Sequence, residues 1–125
     1  MTRMKDKTMI EITMEHIYPF YEETIDELIP PDTIGNYILG YRVGKSEIQI
    51  RYVGRSDTDL NRRLHEHLED PYDAFMFNTQ NTPEEAYIEE CWNWHGCDGP
   101  QGRLENKIHP DKPEGCEATC PVCGR

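Results

Sequence analysis

The last thirty residues limit what this chain can fold into more than any other part of it. Residues 96–125 hold nine of the eighteen Gly and Pro residues and show no helical or strand periodicity, so they cannot assemble an apolar core of their own. Something outside the segment must order it. All five cysteines, Cys91, Cys97, Cys116, Cys120 and Cys123, fall after residue 90, and their odd number argues against a disulfide framework. Cys120-Pro121-Val122-Cys123 has the spacing that lets two thiolates grip one tetrahedral zinc at ~2.3 Å. Cys91 and His95, at i and i+4, sit one turn apart on a single helix face. The expected structural zinc set is therefore Cys91, His95, Cys120 and Cys123, with His109 the main rival for a place and Cys97 and Cys116 behind it. A thiol redox pair at Cys120 and Cys123 is the competing reading.

A length of 125 residues suits one compact domain with a small appendage. Thirteen basic residues against twenty-four acidic ones give a net charge of −11, which excludes binding to nucleic acid by indiscriminate phosphate neutralisation. No apolar run approaches the ~18 residues of a membrane span. Met1 to Met14 alternates charge with single apolar residues and lacks the apolar block of a secretory signal. A cytoplasmic protein with no membrane partner is expected.

Three segments are expected along the chain. Residues 1–30 form an N-terminal extension in which Ile25, Leu28 and Ile29 give a short helix before Pro30 and Pro31. In the core, residues 31–95, Tyr37, Leu39, Tyr41 and Val43 alternate, Gly44-Lys45-Ser46 turns, and Ile48, Ile50 and Tyr52 alternate again, predicting a β-hairpin with one face buried. Ser56, Asp57 and Thr58 can cap a helix striped by Leu60, Leu64 and Leu68, ended by Pro71. Residues 74–78 read as a third strand. Thr82, Pro83 and Glu85 open a capped helix that runs to His95 and ends at Gly96. The fold class is α+β, a small three-stranded antiparallel sheet flanked by helices, followed by the zinc-bound tail of residues 96–125.

On this scaffold the chain offers Gly35-Asn36-Tyr37, Tyr52-Val53-Gly54, Arg63 and His67 on one helical face, and Glu90 on the border of the capped helix's inward face. Taken in order these residues resemble the GIY-YIG endonuclease family over roughly residues 30 to 95. The resemblance implies hydrolysis of phosphodiester bonds in nucleic acid, DNA before RNA. It also implies roles: Glu90, with Glu89 as fallback, would ligate Mg²⁺ or Mn²⁺; Arg63, rather than Arg62, would brace the phosphate. Tyr37 would act as base or water-positioner, and Tyr52 and His67 would orient it or assist proton transfer. Arg55 would add a second cation, forming with Arg42, Arg51 and Arg62 a local basic face. The family's Asn after the metal-binding Glu has no counterpart at Gly102, and Asn106 is the nearest candidate for that substrate-binding place.

Each residue type suits such chemistry. Phosphodiester hydrolysis requires a metal ion to stabilise charge and the leaving oxygen, a cation on the non-bridging oxygens and a group that aligns and deprotonates water. A phenol ionises near pKa ~10, so Tyr37 serves as a base only where a cation favours its phenolate. The runner-up is a catalytically weak binding module on the same scaffold, contacting nucleic acid or protein.

Overall fold

The computed structural model describes Met14 and residues 16–125, so the reading of residues 1–13 as free of a secretory signal lies outside the described residues. The architecture is α+β, with a four-stranded antiparallel sheet where three strands were expected. In chain order the elements are β1 (Tyr18–Pro19), α1 (Glu22–Leu28), β2 (Gly35–Val43), β3 (Glu47–Ser56), α2 (Leu60–Glu66), β4 (Ala74–Thr79) and α3 (Pro83–Gly96), with a 3₁₀ turn at His67–Glu69 after α2. Strand order is β1-β4-β2-β3. The additional strand is two residues long: Tyr18 and Pro19 pair with Phe75 and Ala74. It escapes a reading of local alternation because it is too short to alternate.

The helix starts follow from local chemistry. Thr82 Oγ1 accepts the Glu85 N–H at 3.1 Å, and Glu85 Oε1 in turn accepts the Asn81 N–H at 3.2 Å, so the cap forms with its return bond one residue earlier than a capping box would place it. The α2 cap is Asp59, whose carboxylate accepts the Arg62 N–H, while Ser56 Oγ accepts the Asp59 N–H one step upstream. Leu68 falls in the 3₁₀ turn rather than on α2 itself.

The hairpin differs from expectation in burial. Strand β2 lies inside the sheet, and Gly35 through Gly40 are buried on both faces. One face packs Tyr37, Leu39 and Phe75 against Ile25 of α1, Ile29 just after it, and Leu60 and Leu64 from α2. The other packs Ile38, Val53 and Met76 against Trp94 of α3 and Leu104 of the tail. The sheet is thus covered by α1 and α2 on one side and by α3 with the tail on the other.

A one-residue irregularity in β3 positions the site. Leu39 pairs with Tyr52 and Gly40 with Ile50, leaving Arg51 without a partner on β2. Such a bulge reverses which face every later side chain takes. Ile48 and Ile50 accordingly pack toward α3, whereas Tyr52 packs on the α2 face beside Tyr37. The rings of Tyr37 and Tyr52 stack at 6.1 Å between centroids.

Residues 97–125 contain no helix or strand, as the sequence implies. The tail instead covers the open edge of β3: the Glu105 N–H donates to Arg51 O at 2.6 Å, and the Asn106 amide both donates to Val53 O (2.6 Å) and accepts from Val53 N (3.2 Å). An edge strand's unpaired groups are thereby satisfied. Trp94 Nε1 donates to Asn106 O at 3.0 Å and closes the clasp from the helix side.

Tyr37 is pinned by a bare backbone opposite it. A Cβ at Gly54 would overlap Cζ and Oη of the Tyr37 ring. Gly54→Ala should therefore destabilise the protein by about 1–3 kcal/mol through overpacking, read as a drop in melting temperature, and weaken the Tyr37–Tyr52 stack in near-ultraviolet circular dichroism.

Candidate functional site

Where β3 leaves the hairpin, an open cleft of about 410 Å³ is lined by Tyr37, Tyr52, Gly54, Arg55, Arg63, Glu90 and Asp111, among others. Its groups come from β2, β3, α2, α3 and the tail, so residues far apart in the chain converge on one depression. Tyr37 Oη lies 2.8 Å from His67 Nε2, and His67 Nδ1 lies 2.9 Å from Asp70 Oδ2. The imidazole also leans against the Tyr52 ring at 4.8 Å between centroids.

Burial, with Tyr52 and Glu90 adding to it against the opposing pull of Arg63, holds the Tyr37 hydroxyl well above the ordinary phenol range. A neutral phenol is the form present. Burial likewise raises Tyr52. Arg63 is half exposed and meets Glu66 only at 3.6 Å, so most of its guanidinium is open to a ligand in the cleft; Arg62, still more exposed, does not line it.

Arg55 stands differently from the expectation. Its Nη1 donates to Glu90 Oε1 at 2.6 Å, its Nε donates to Asp57 Oδ1 at 2.7 Å, and its Cζ lies 5.4 Å from the centre of the Tyr87 ring. It is an internal counter-ion more than a free phosphate ligand. Burial pushes the Glu90 carboxyl up to about 7, against the opposing pull of Arg55. Glu89, the fallback, is bonded to Asn78 and Gln80. The other arginines of the expected basic face are engaged elsewhere: Arg42 on Lys45 O and Ile17 O, Arg51 toward Glu105 at 3.6 Å, Arg62 toward Glu66. Asn106, expected at the substrate, spends its amide on Val53.

The cleft does not fit Mg²⁺ or Mn²⁺ as it stands. One oxygen of Glu90 is taken by a guanidinium, and among the described residues three or more His, Cys, Asp or Glu ligand atoms gather only where the end of α3 meets the tail. Mg²⁺ takes few protein carboxylates and keeps several waters, so what counts against it here is that the expected ligand, Glu90, is already the counter-ion of Arg55.

The tail cluster is made by His95, His109, Cys120 and Cys123, whose ligand atoms all lie within 4.8 Å of one another, and it could bind a metal such as zinc. Its chemistry fits. His95 Nε2 is buried with no hydrogen-bond partner. His109 Nδ1 donates to Pro110 O at 2.9 Å, which fixes the tautomer and leaves Nε2 as a lone pair 3.3 Å from Cys123 Sγ. Burial raises the Cys120 thiol, but the backbone N–H groups of Cys123 and Val122, then His109 and Cys91, bring it down to about 7.

Three of the four expected ligands are in place, and His109 stands where Cys91 was expected. Cys91 is fully buried one turn earlier on α3, packed with Tyr87 and Cys120, and burial pushes its thiol up to about 12. A shared helix face still separates residues i and i+4 by about a turn, and the loop after Asn106 carries His109 to the His95 end first. A histidine beside a proline in the cysteine-rich segment was the available signal.

No family model matches the chain, and neither a curated protein nor a solved structure matches it. No helix among the described residues is long and apolar enough to cross a membrane.

The Arg55–Glu90 pair generates a pH-dependent prediction. Because the folded carboxyl titrates at about 7 against an ordinary 4.5, its protonated form is favoured by folding; that contribution is complete below about 4.5 and is lost as pH rises to about 7. Removing Arg55 takes away the group that pulls the carboxyl down, and extends the loss to higher pH. Arg55→Ala should cost little in acid and about 3 kcal/mol above neutrality, measured by denaturant melts across pH.

Proposed function

We propose that the chain is a GIY-YIG-type endonuclease that hydrolyses phosphodiester bonds in nucleic acid, DNA in the first instance, with a structural zinc in its C-terminal tail. The observation that carries this reading is the meeting of Tyr37, Tyr52, Arg63 and Glu90 in one cleft from four separate elements. A phosphate seated there meets the open side of Arg63, which offsets charge on the non-bridging oxygens. Tyr37, neutral and hydrogen-bonded to His67, orients the attacking water, and Tyr52 braces both rings from the bulged strand. Glu90, titrating near neutrality beside Arg55, holds or releases a proton at the same wall of the cleft. No step is routed through a divalent ion, since the donors do not make its site.

Purified protein incubated with supercoiled and branched DNA, with and without Mg²⁺ or Mn²⁺, should nick at least one substrate. Arg63→Ala should lower the rate by roughly 10²-fold or more with melting temperature little changed, because Arg63 makes only one long internal ion pair, whereas Glu90→Gln should lower the rate comparably and also lower the melting temperature above neutrality, because it takes the carboxylate from Arg55. Nicking unaffected by both changes would remove Glu90 and Arg63 from the mechanism, and binding without nicking on every substrate would favour the binding module.

The zinc reading rests on the unpartnered Nε2 of His95 inside a ready four-donor cluster. Protein prepared without chelators should carry about one zinc per chain, and its removal should loosen the tail, seen as new protease cleavage after Gly96. His109→Ala should lower zinc occupancy at least tenfold more than Cys91→Ala. Equal losses for the two variants would return Cys91 to the ligand set.

A further inference from the structure

Behind the cleft wall, on the outer side of His67, stands a carboxylate that the roles above do not use. Asp70 closes the 3₁₀ turn that begins at His67, and its Oδ2 sits 2.9 Å from His67 Nδ1, while the opposite ring nitrogen sits 2.8 Å from Tyr37 Oη. The three groups form one hydrogen-bonded line from the surface to the cleft wall. An ionised carboxylate only accepts hydrogen bonds, so the short contact requires the proton on His67 Nδ1. A neutral imidazole with Nδ1–H presents a lone pair at Nε2, and Tyr37 must then donate its O–H to it. The phenol oxygen is left with lone pairs for a water in the cleft. Without Asp70 the tautomer loses its determinant, since the other contacts of the ring are the Tyr37 hydroxyl, which can donate or accept, and the Tyr37 and Tyr52 rings.

We infer that Asp70 is a positioning residue, which fixes the His67 tautomer so that His67, through the Tyr37 hydroxyl, is the acceptor for the proton of the attacking water. The inference rests on reading the cleft as a phosphodiester-cleaving site. The step balances without an outside reagent. Water oxygen forms the new P–O bond as the bond to the leaving sugar oxygen breaks. The water proton passes to Tyr37 Oη while the Tyr37 proton passes to His67 Nε2. The leaving alkoxide takes a proton from solvent, and the imidazolium, bonded to Asp70 through Nδ1–H, later returns one. Tyr37 stays a phenol before and after, in agreement with its burial.

The test pairs a spectroscopic readout with a kinetic one. In the ¹⁵N spectrum of the full chain, at a pH where the imidazole is neutral, His67 should carry its proton on Nδ1. In Asp70→Ala the Nε2–H form should become populated. Nicking of supercoiled plasmid should fall about 10²-fold in that variant, the lower part of the range for a positioned general base, with melting temperature unchanged and partial recovery in Asp70→Glu. Half of the Asp70 side chain is exposed, so the variant can be expected to fold. A wild-type His67 protonated on Nε2, or an unchanged tautomer in Asp70→Ala, overturns the inference. A tautomer that shifts as expected in a protein that nicks nothing supports the positioning role and counts against the phosphodiester reading.

Discussion

One unpaired residue in β3 governs what the cleft is made of. If β3 ran in regular register, Ile48, Ile50 and Tyr52 would share a face, and the second phenol would point at α3. The extra residue at Arg51 turns Tyr52 onto the side where α2 and the following turn present Arg63 and His67. The same reversal leaves Val53 facing Trp94 and Leu104 and sends Arg55 to Glu90 on α3. Gly54, with no side chain, lies between these two sets and against the Tyr37 ring. Groups from both faces of the sheet reach one cleft because the strand between them changes hand and then carries nothing.

The electrostatics of that cleft follow from the charge of the whole chain. In a protein of net charge −11, a buried guanidinium recruits carboxylates, and Arg55 holds two of them. A buried pair of this kind is weak evidence for stability, but taking away one partner leaves a charge that burial cannot tolerate. Arg55 thereby keeps Glu90 close to neutrality in its titration and leaves Arg63 as the lining cation with room for an anion. The overall field repels polyanions, and on the proposed reading the open guanidinium of Arg63 would be a local exception that makes few phosphate contacts.

Local signals carried most of the secondary structure. The hairpin turn at Gly44, the Thr82 cap and the Leu60–Leu64 pair of α2 each depend on residues within a few positions of one another, and each appears where the sequence places it. What escaped depends on partners distant in the chain. Two residues at Tyr18–Pro19 are a strand only because Phe75 and Ala74 lie beside them. The bulge is invisible to alternation, since Ile48, Ile50 and Tyr52 satisfy the period of two whether or not Arg51 is paired. Choosing Cys91 over His109 followed helical spacing, a local rule, where the path of an irregular loop decides. Asp70 could have been read, because His67 and Asp70 are three apart, but a surface carboxylate gains meaning only once Tyr37 is known to sit on the far side of the ring.

The tail joins these features into one argument. Residues 97–125 make few regular backbone bonds, and ordering each residue costs on the order of 1–2 kcal/mol, more than the scattered hydrogen bonds at Glu105 and Asn106 can offset. Leu104 beneath Trp94 helps, yet the rest of the segment buries little. A metal at His95, His109, Cys120 and Cys123 would hold the end of the chain to the same helix that carries Glu90, with Asp111 of the intervening loop on the cleft wall. The centre and the cleft are then mechanically linked through α3: what orders the tail also fixes the edge of β3 and the stretch of helix that presents Glu90. On the proposed reading, a zinc in the tail would thus support the chemistry of the cleft without taking part in it.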